Sequence, residues 1–486
     1  MKAIYLLTKI TIAILFFSNN LFCQDTFRIT MKDPLTYEVI HDATELSDGS
    51  FILLCNQWAP SVSVHLIRLS KTGKELASKV FSYNGLSCGL TSIAQLNQNQ
   101  FVFGGYVIVD TIVKAWVYET DSLFNELNSR TFTFDTNNMY SILVTISKSG
   151  NILCSGLIAD PLQYNYAYLY ELSPELDSIR YKLFSEYGAE QYPSLLEKKY
   201  GEGYYFFLTG YHPTNSNYCI SILDLDNSFT INHINGVPLR LSNFSNSLWI
   251  NNKDYITTGL KYYSGQNDQC IGVISLDTNN VMLHDTIIGD HDTVEYPALQ
   301  RLLDFIDPNS IFLGSNHNIR WYEFDPGPSW FGLTNMDSLL NIRWQKFYGG
   351  GTTNFLLQGI LATHDGGCLM FGTVYDTATQ HNEQDVHIIK VNSDGLLGGL
   401  DNKGSIIAHD AIVYPNPGSD CIIIQSGPQI MGAQFSMATI EGKNVLTSNL
   451  NDKKTELITT TLKPGSYIWR IIFNNNVVES GKWIKQ

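Results

Sequence analysis

Basic residues are scarce in this chain. Lys and Arg number 31 against 46 Asp and Glu over 486 residues, and all charged types together make up only 16%. Nucleic acid and anionic membrane surfaces are gripped mainly by Lys and Arg, so an acidic chain suits neither as a partner. Sustained helical periodicity is also missing, which excludes a helical bundle or a coiled coil. The eight cysteines show no CxxC and no paired spacing, which argues against a zinc ribbon or a disulfide framework. Beyond residue 23 no apolar run reaches the length of a membrane-spanning helix, so the chain is not expected to be an integral membrane protein. There is no G-x-S-x-G, no H-E-x-x-H and no phosphate-binding glycine loop, so no motif marks an enzyme class. Carboxylate pairs for glycoside cleavage come from separate strands and leave no local pattern to find.

Aromatic residues are plentiful at 12%. With Ile, Leu and Val they form short runs broken by Gly, Asn, Asp and Ser, which predicts an all-β protein. At this length two or more domains or a repeat array are expected. Residues 1–23 read as a signal peptide: Lys2 and Lys9 are its only charges, an apolar stretch covers 10–17, and Ser18-Asn19-Asn20 breaks it. Cleavage after Cys23 leaves Gln24 as the new terminus. A lipoprotein leader would want a small residue where Phe22 stands, so simple cleavage is the better reading. Without the leader, 29 basic residues face 46 acidic ones, a formal charge of −17. Residues 412–486 carry +2 of this, so the acidity belongs to the body.

The body is a repeat. Residues 219–226 (CISILDLD) align without a gap on 270–277 (CIGVISLD). The same seven-residue frame fits 64–70, 115–121, 167–173, 319–325 and 386–392, with a mean step of about 54 residues, in the range of four-stranded propeller blades. Its first, third, fourth and sixth columns are apolar except at Thr120, its fifth is polar, and its seventh is Ser, Asp or Asn. Apolar residues on both faces mean that the strand is covered on both sides. A second strand with its own turn precedes each frame. The expectation is a seven-bladed β-propeller over 24–400, a linker at 401–411 and a small Ig-like β-sandwich over 412–486. Phe27–Lys32 reads as a strand that pairs into the last blade and latches the ring. Cys55, Cys154 and Cys368 fall at even offsets from their turn glycines, as buried small residues on one face would.

Candidate sites are few. The sixth unit is longer than the rest, and its extra material, 326–348, is expected to be a loop whose Trp330 and Trp344 could meet a ligand. Packing of that loop onto its blade is the competing reading. His65 and His387 share a repeat column that the other units fill with unrelated residues, so a structural role is favoured over metal binding. Acidic clusters at 224–226 and 285–295 offer oxygen ligands of the kind calcium takes, yet neither follows a calcium-loop pattern. Solvated turns account for them, and no cofactor is identified. Partial likenesses to the sialidase Asp-box and to the kelch Gly-Gly pair lack the remaining residues of those motifs.

The stretch 412–486 carries Tyr414-Pro415-Asn416-Pro417 near its start, then a strand at 420–424. A turn follows at 441–445, then 462–471 (LKPGSYIWRI), and the chain ends at 481–486 (GKWIKQ). This combination resembles the C-terminal sorting domain of proteins exported by the bacterial type IX secretion system. The resemblance implies passage through the periplasm, recognition by the secretion machinery and display or release at the cell surface. It carries Tyr414, Pro415, Asn416, Pro417, Gly465, Tyr467, Lys482 and Lys485 as motif residues. The residues agree with it on their own terms: Tyr467, Trp469, Ile471 and Phe473 alternate as one face of a sandwich should. The body then reads as a scaffold that binds an extracellular protein or glycan. A secreted hydrolase or lyase acting on polysaccharide or peptide is the second reading, and a structural surface-layer component the third.

Overall fold

The computed structural model describes residues 25–486 except 32–36, 59–60, 136, 160–164, 190–192, 212–217, 244–245, 263–268, 290–293, 320–328, 351–352, 377–383, 398–410, 416, 427–429, 440–441 and 474–475. The signal peptide and nearly all of the expected linker lie outside these residues.

The body forms seven antiparallel sheets in chain order, each a blade. The first consists of Tyr37–Glu45, Phe51–Trp58, Val62–Leu69 and Glu75–Phe81, running from the inner strand to the outer. Blades 2 to 5 span 88–132, 138–188, 194–236 and 247–288. The inner strand of blade 6 is broken into Glu295–Pro297 and Leu303–Asp304, both paired with Ile311–His317, and Trp330–Met336 and Ile342–Gly349 complete the sheet. Blade 7 takes Thr353–Ala362, Cys368–Asp376 and Gln384–Val391 from the end of the body, and its outermost strand is Phe27–Met31 from the chain's beginning. Phe27 lies opposite Lys390 and Met31 opposite Val386, so the expected latch is present.

Both faces of each blade are apolar because each strand feeds two cores. In blade 2, Phe101 and Phe103 pack toward blade 1, whereas Val102 packs toward blade 3. One buried cluster fills every junction between successive blades, and the cluster of Ile40, Leu53, Leu369 and Ile388 joins blade 7 to blade 1. A blade alone could not bury either face, so closure is what makes it stable. Cys55, Cys154 and Cys368 each face the preceding blade. None of the seven cysteines of 25–486 is in a disulfide, and burial pushes the Cys154 thiol up to about 12, far from a reactive thiolate.

The repeat frame is the third strand, and its seventh residue opens a turn to the outer strand. Asp121, Asp226, Asp277, Asp337 and Asn392 each use one side-chain oxygen to accept two backbone N–H groups of that turn. Three residues further on, the backbone is left-handed at Gly73, Phe124, Leu176, Phe229, Asn280, Leu340 and Gly395. Glycine or asparagine is ordinary there; Phe and Leu cost about 1–2 kcal/mol. Phe124, Leu176, Phe229 and Leu340 are nevertheless almost wholly buried, each plugging the junction to the preceding blade. Burial of such a side chain is worth about 1.5–3 kcal/mol, enough to offset the strain. Where glycine stands, a neighbour supplies the plug: a Cβ at Gly73 would lie 2.7 Å from Phe27 and Ile29 of the latch, and one at Gly395 2.7 Å from Trp344.

The sixth unit corrects the sequence reading. Of 319–325, taken as its frame, all but the first residue lie outside the described residues. The third strand of blade 6 is Trp330–Met336, and 331–337 (FGLTNMD) carries the frame, with Asn335 polar in the fifth column and Asp337 opening the turn. Thr334 in the otherwise apolar fourth column hides it. With its start moved from 319 to 331, the frame falls almost midway between its neighbours at 271 and 386, so the repeat becomes more even. The expected loop at 326–348 is therefore mostly two strands, with Trp330 at the start of one and Trp344 within the other.

The C-terminal residues form a sandwich. Ala411–Tyr414, Cys421–Ser426 and Lys454–Ile458 make one sheet; Asn444–Asn449, Gln434–Thr439, Gly465–Phe473 and Asn476–Lys485 make the other. Ile422 and Ile424 meet Phe435, Tyr467, Trp469, Ile471 and Trp483 in a single core.

Candidate functional site

Inner strands line the centre of a propeller, and here blade 6 reaches into it. The break in its inner strand lets 299–301 bulge out of the blade's own ladder, which Ala298 and Leu302 still join through backbone bonds to Gly314. Arg301 forms a parallel bridge with Gly359 of blade 7, and its Nη1 donates to the Ala43 carbonyl of blade 1 at 2.8 Å. Gln300 fits with its amide nitrogen donating to the carbonyls of His41 and Thr91, at 2.8 Å each, and its oxygen accepting from His41 Nδ1. One segment thus ties blades 1, 2, 6 and 7 together at the axis.

The carboxylates around Arg301 are spent. Asp42 accepts from the N–H groups of Ile93 (3.0 Å) and Ala43 (2.8 Å) and lies 3.5 Å from Arg301. Asp304 accepts from Ala362 and Phe305, at 2.9 Å each. Burial outweighs the Arg301 charge and these N–H groups, so both carboxyls titrate above their ordinary range. Burial likewise drives His41 down to about 4, leaving it neutral. The same stitching, an inner-strand side chain accepting from the next blade's backbone, recurs at Ser92 to Val144 and Asn246 to Leu303. Further out, Asn56 brackets Leu90, and Asn316 brackets Leu357, through both ends of the amide.

Toward the face where second strands end and third strands begin, two glutamates occupy equivalent places. Glu38 pairs in register with Gln57 and accepts from it, and lies 3.2 Å from His65 Nδ1. Glu295 pairs with His317 and bonds its Nδ1 through Oε1, while its buried Oε2 has no partner among the described residues. The His317 ring lies between Phe347, with centroids 4.3 Å apart, and Trp330, at 5.2 Å. Trp58 meets Tyr37 edge-on at 5.2 Å on blade 1. Tyr140 and Tyr262 are also exposed on this face. Trp344 belongs to the opposite end of its blade, partly buried against Phe312 and the core between blades 6 and 7. His387 bonds Thr30 of the latch at 2.8 Å. Of the acidic cluster at 224–226, Asp224 pairs with Lys198 at 2.7 Å and Asp226 caps its turn. Sequence reasoning missed Arg301, Asp304, Glu38 and His317, and held Glu295 only as part of the acidic cluster at 285–295, because their partners come from other strands and no local spacing marks them.

In the sandwich the motif residues gather at one corner. Trp483 is fully buried, and its Nε1 donates to the Pro415 carbonyl at 2.7 Å. Gly418 exchanges backbone bonds of 2.9 Å with Ile484 and Gln486. The Lys485 ammonium donates to the Ser419 carbonyl. Tyr467 is buried, with its hydroxyl on the Lys463 carbonyl at 2.8 Å, and Gly465 opens the same strand. The Tyr414–Pro415 peptide is cis. Asn416 lies outside the described residues, Pro417 is exposed beside it, and Lys482 is exposed on the last strand.

No curated protein matches the chain. Among solved structures it is similar to the β-propeller domain of the Trilobed protease from Pyrococcus furiosus, with 8% identity over 72% of this chain and 95% of that one and a TM-score of 0.42. It is also similar to a protein of unknown function from Dyadobacter fermentans (8%, 75% and 98%, TM-score 0.43) and to the WD40 domain of Toxoplasma gondii coronin (9%, 77% and 89%, TM-score 0.42). The profile of the secretion system C-terminal sorting domain matches residues 412–486. These residues are a type IX secretion sorting domain of that family, and the chain is a secreted or cell-surface protein that carries it behind a β-propeller.

Proposed function

We propose that the propeller is a binding scaffold, delivered outside the cell by its sorting domain, that takes an extracellular protein or glycan. The observation behind this reading is the contrast between centre and face. At the axis Asp42, Asp304, Arg301 and Gln300 are committed to one another and to backbone, and His41 bonds Gln300 through its Nδ1. On the face where second strands end, Tyr37, Trp58, Tyr140, Tyr262 and Trp330 stand on rigid strands with part of their surface open. Partly open aromatic rings on fixed backbone suit stacking against sugar rings or apolar side chains at low entropic cost. Immobilised full-length protein should retain polysaccharides or proteins of its surroundings, and Trp58→Ala with Trp330→Ala should weaken retention at least tenfold. Undiminished retention by the double variant would sink this reading.

A secreted hydrolase or lyase is the second reading, and one observation favours it. A buried glutamate orienting a half-buried histidine, as Glu295 does His317, is the supporting geometry of a general base. Turnover of polysaccharide or peptide that is lost in His317→Asn, with folding intact, would establish it.

A further inference from the structure

A second repeat column runs along the ends of the second strands. Trp58, Tyr211, Tyr262 and Tyr375 lie opposite Val62, Tyr218, Gln269 and Gln384, each two places before the frame of its blade. Strand alternation puts Tyr262 on the side of Ile256, toward blade 6, and Tyr375 on the side of Phe371, toward blade 1. The walls opposite them carry the two Glu–His pairs. Glu38, Gln57 and His65 continue the wall of Ile40 and Cys55, which shares a core with Phe371 between blades 7 and 1. Glu295 and His317 continue the wall of Ile311 and Leu313, which shares a core with Ile256 between blades 5 and 6. One construction therefore stands twice, at the mouths of the 5/6 and 7/1 junctions. An aromatic ring forms one side, and a buried glutamate holding a histidine by Nδ1 forms the other. Trp58 shares the column, but Cys88 and Val107 make the wall opposite it apolar. Tyr375 and both histidines are half-buried, and Tyr262 is exposed. At the 5/6 mouth Trp330, beside the His317 ring, adds a second aromatic surface. In the neutral rings Nδ1–H donates to the carboxylate, so Nε2 keeps its lone pair, and it has no partner among the described residues.

We propose that these two mouths are subsites for a neutral linear glycan, with one sugar residue in each. The aromatic ring stacks on the apolar face of a pyranose, and the histidine Nε2 accepts from one of its hydroxyls. Neither subsite has a Lys or Arg among the residues named, and the acidic body repels polyanions, so sulfated or uronate-rich chains do not fit. A construction repeated two blades apart suits a ligand that repeats one chemical unit. A polysaccharide does so; the surface of a folded protein does not. Between the subsites the chain crosses blades 6 and 7. This rests on the reading of the propeller as a binding scaffold and adds the class of its ligand and the residues that meet it.

Calorimetric titration of the full-length protein with neutral gluco-, xylo-, manno- and N-acetylglucosamine oligosaccharides of increasing length tests this. In one series Kd should fall at least tenfold once the chain spans both subsites, because the second contact then forms within the same complex. Tyr375→Ala should abolish that gain and leave the binding of short chains at the 5/6 mouth. His317→Gln should abolish it too and leave short chains at the 7/1 mouth. Gln57 already donates to Glu38 at the equivalent place, so this second variant keeps Glu295 partnered. Wild-type melting temperatures in both variants would show that the ring is intact. Undiminished affinity for long chains in the Tyr375→Ala, His317→Gln double variant overturns the proposal. Failure of every series to bind, in a protein that retains extracellular proteins, also overturns it and leaves the scaffold reading standing with a protein ligand. Retention of neither glycan nor protein overturns the scaffold reading itself.

Discussion

Single residues in this protein are judged by whether a partner from another strand reaches them. Glu119 is a fifth-column residue left short: it is buried, its Oε1 has no partner among the described residues, and burial with the nearby Glu175 charge raises it to about 7. Equivalent positions are satisfied, Asp224 by Lys198 and Lys390 by Asp365. An unfolded glutamate titrates near its ordinary value of about 4.3. Between that value and about 7 the native state therefore holds a proton that the unfolded state has lost, and stability falls as pH rises through this window. Melting temperatures taken from pH 5 to 8 should fall less steeply in Glu119→Gln than in the wild type. Parallel profiles would show that Glu119 has found a partner. Arg301 presents the opposite case. Its removal strands two buried carboxylates, so Arg301→Met should cost about 3 kcal/mol in denaturant unfolding, toward the lower end for a buried pair because its side chain is a third open.

At the scale of elements, the recurrent third-strand turn carries a sharper expectation. Phe124 is both strained and buried, so substitution trades one effect against the other. Phe124→Ala loses the plug and keeps the left-handed penalty, a cost of about 3–5 kcal/mol. Phe124→Gly loses the same plug but removes the penalty, so it should be less destabilising by about 1 kcal/mol, the reverse of the usual order at a strand or helix position. The third strands were legible in the sequence because they are covered on both faces and end in a side-chain-capped turn, two constraints that repeat in every unit. Blade 6 was misplaced because Thr334 breaks an apolar column. The outer strands left little trace: half-solvated residues such as those of Glu75–Phe81 and Met282–Ile288 obey only a weak alternation. The latch was legible as an isolated strand before the first unit with no blade of its own. Its register adds what the sequence could not show: Phe27 and Ile29 fill the space under Gly73. Removing residues 24–33 should lower the melting temperature sharply, and an unchanged transition would mean that blade 7 is stable with three strands.

For the whole molecule, fold and route are separate properties held in separate cores. Among the described residues, the sandwich cluster around Trp469 and Trp483 includes no body residue, and the junction clusters include no tail residue. Deleting 412–486 should therefore leave the propeller's melting transition in place while stranding the protein in the periplasm, as cell fractionation would reveal. The tail could be recognised from sequence because its motif is local and its residues are consecutive. The centre of the ring could not, since Asp42 and His41 come from the first blade's inner strand and Arg301 and Gln300 from the sixth blade's.

The latch also decides how the ring behaves under load. Phe27 lies opposite Lys390, so the chain enters and leaves the propeller at the same end of the same strand pair. Tension between the N-terminus and the tail therefore acts across the backbone bonds of Phe27–Met31 one after another, peeling the strand. It does not shear all of its pairings at once. A pull of this kind opens blade 7 first and leaves the other junctions without load, which makes the latch the mechanical fuse of the molecule.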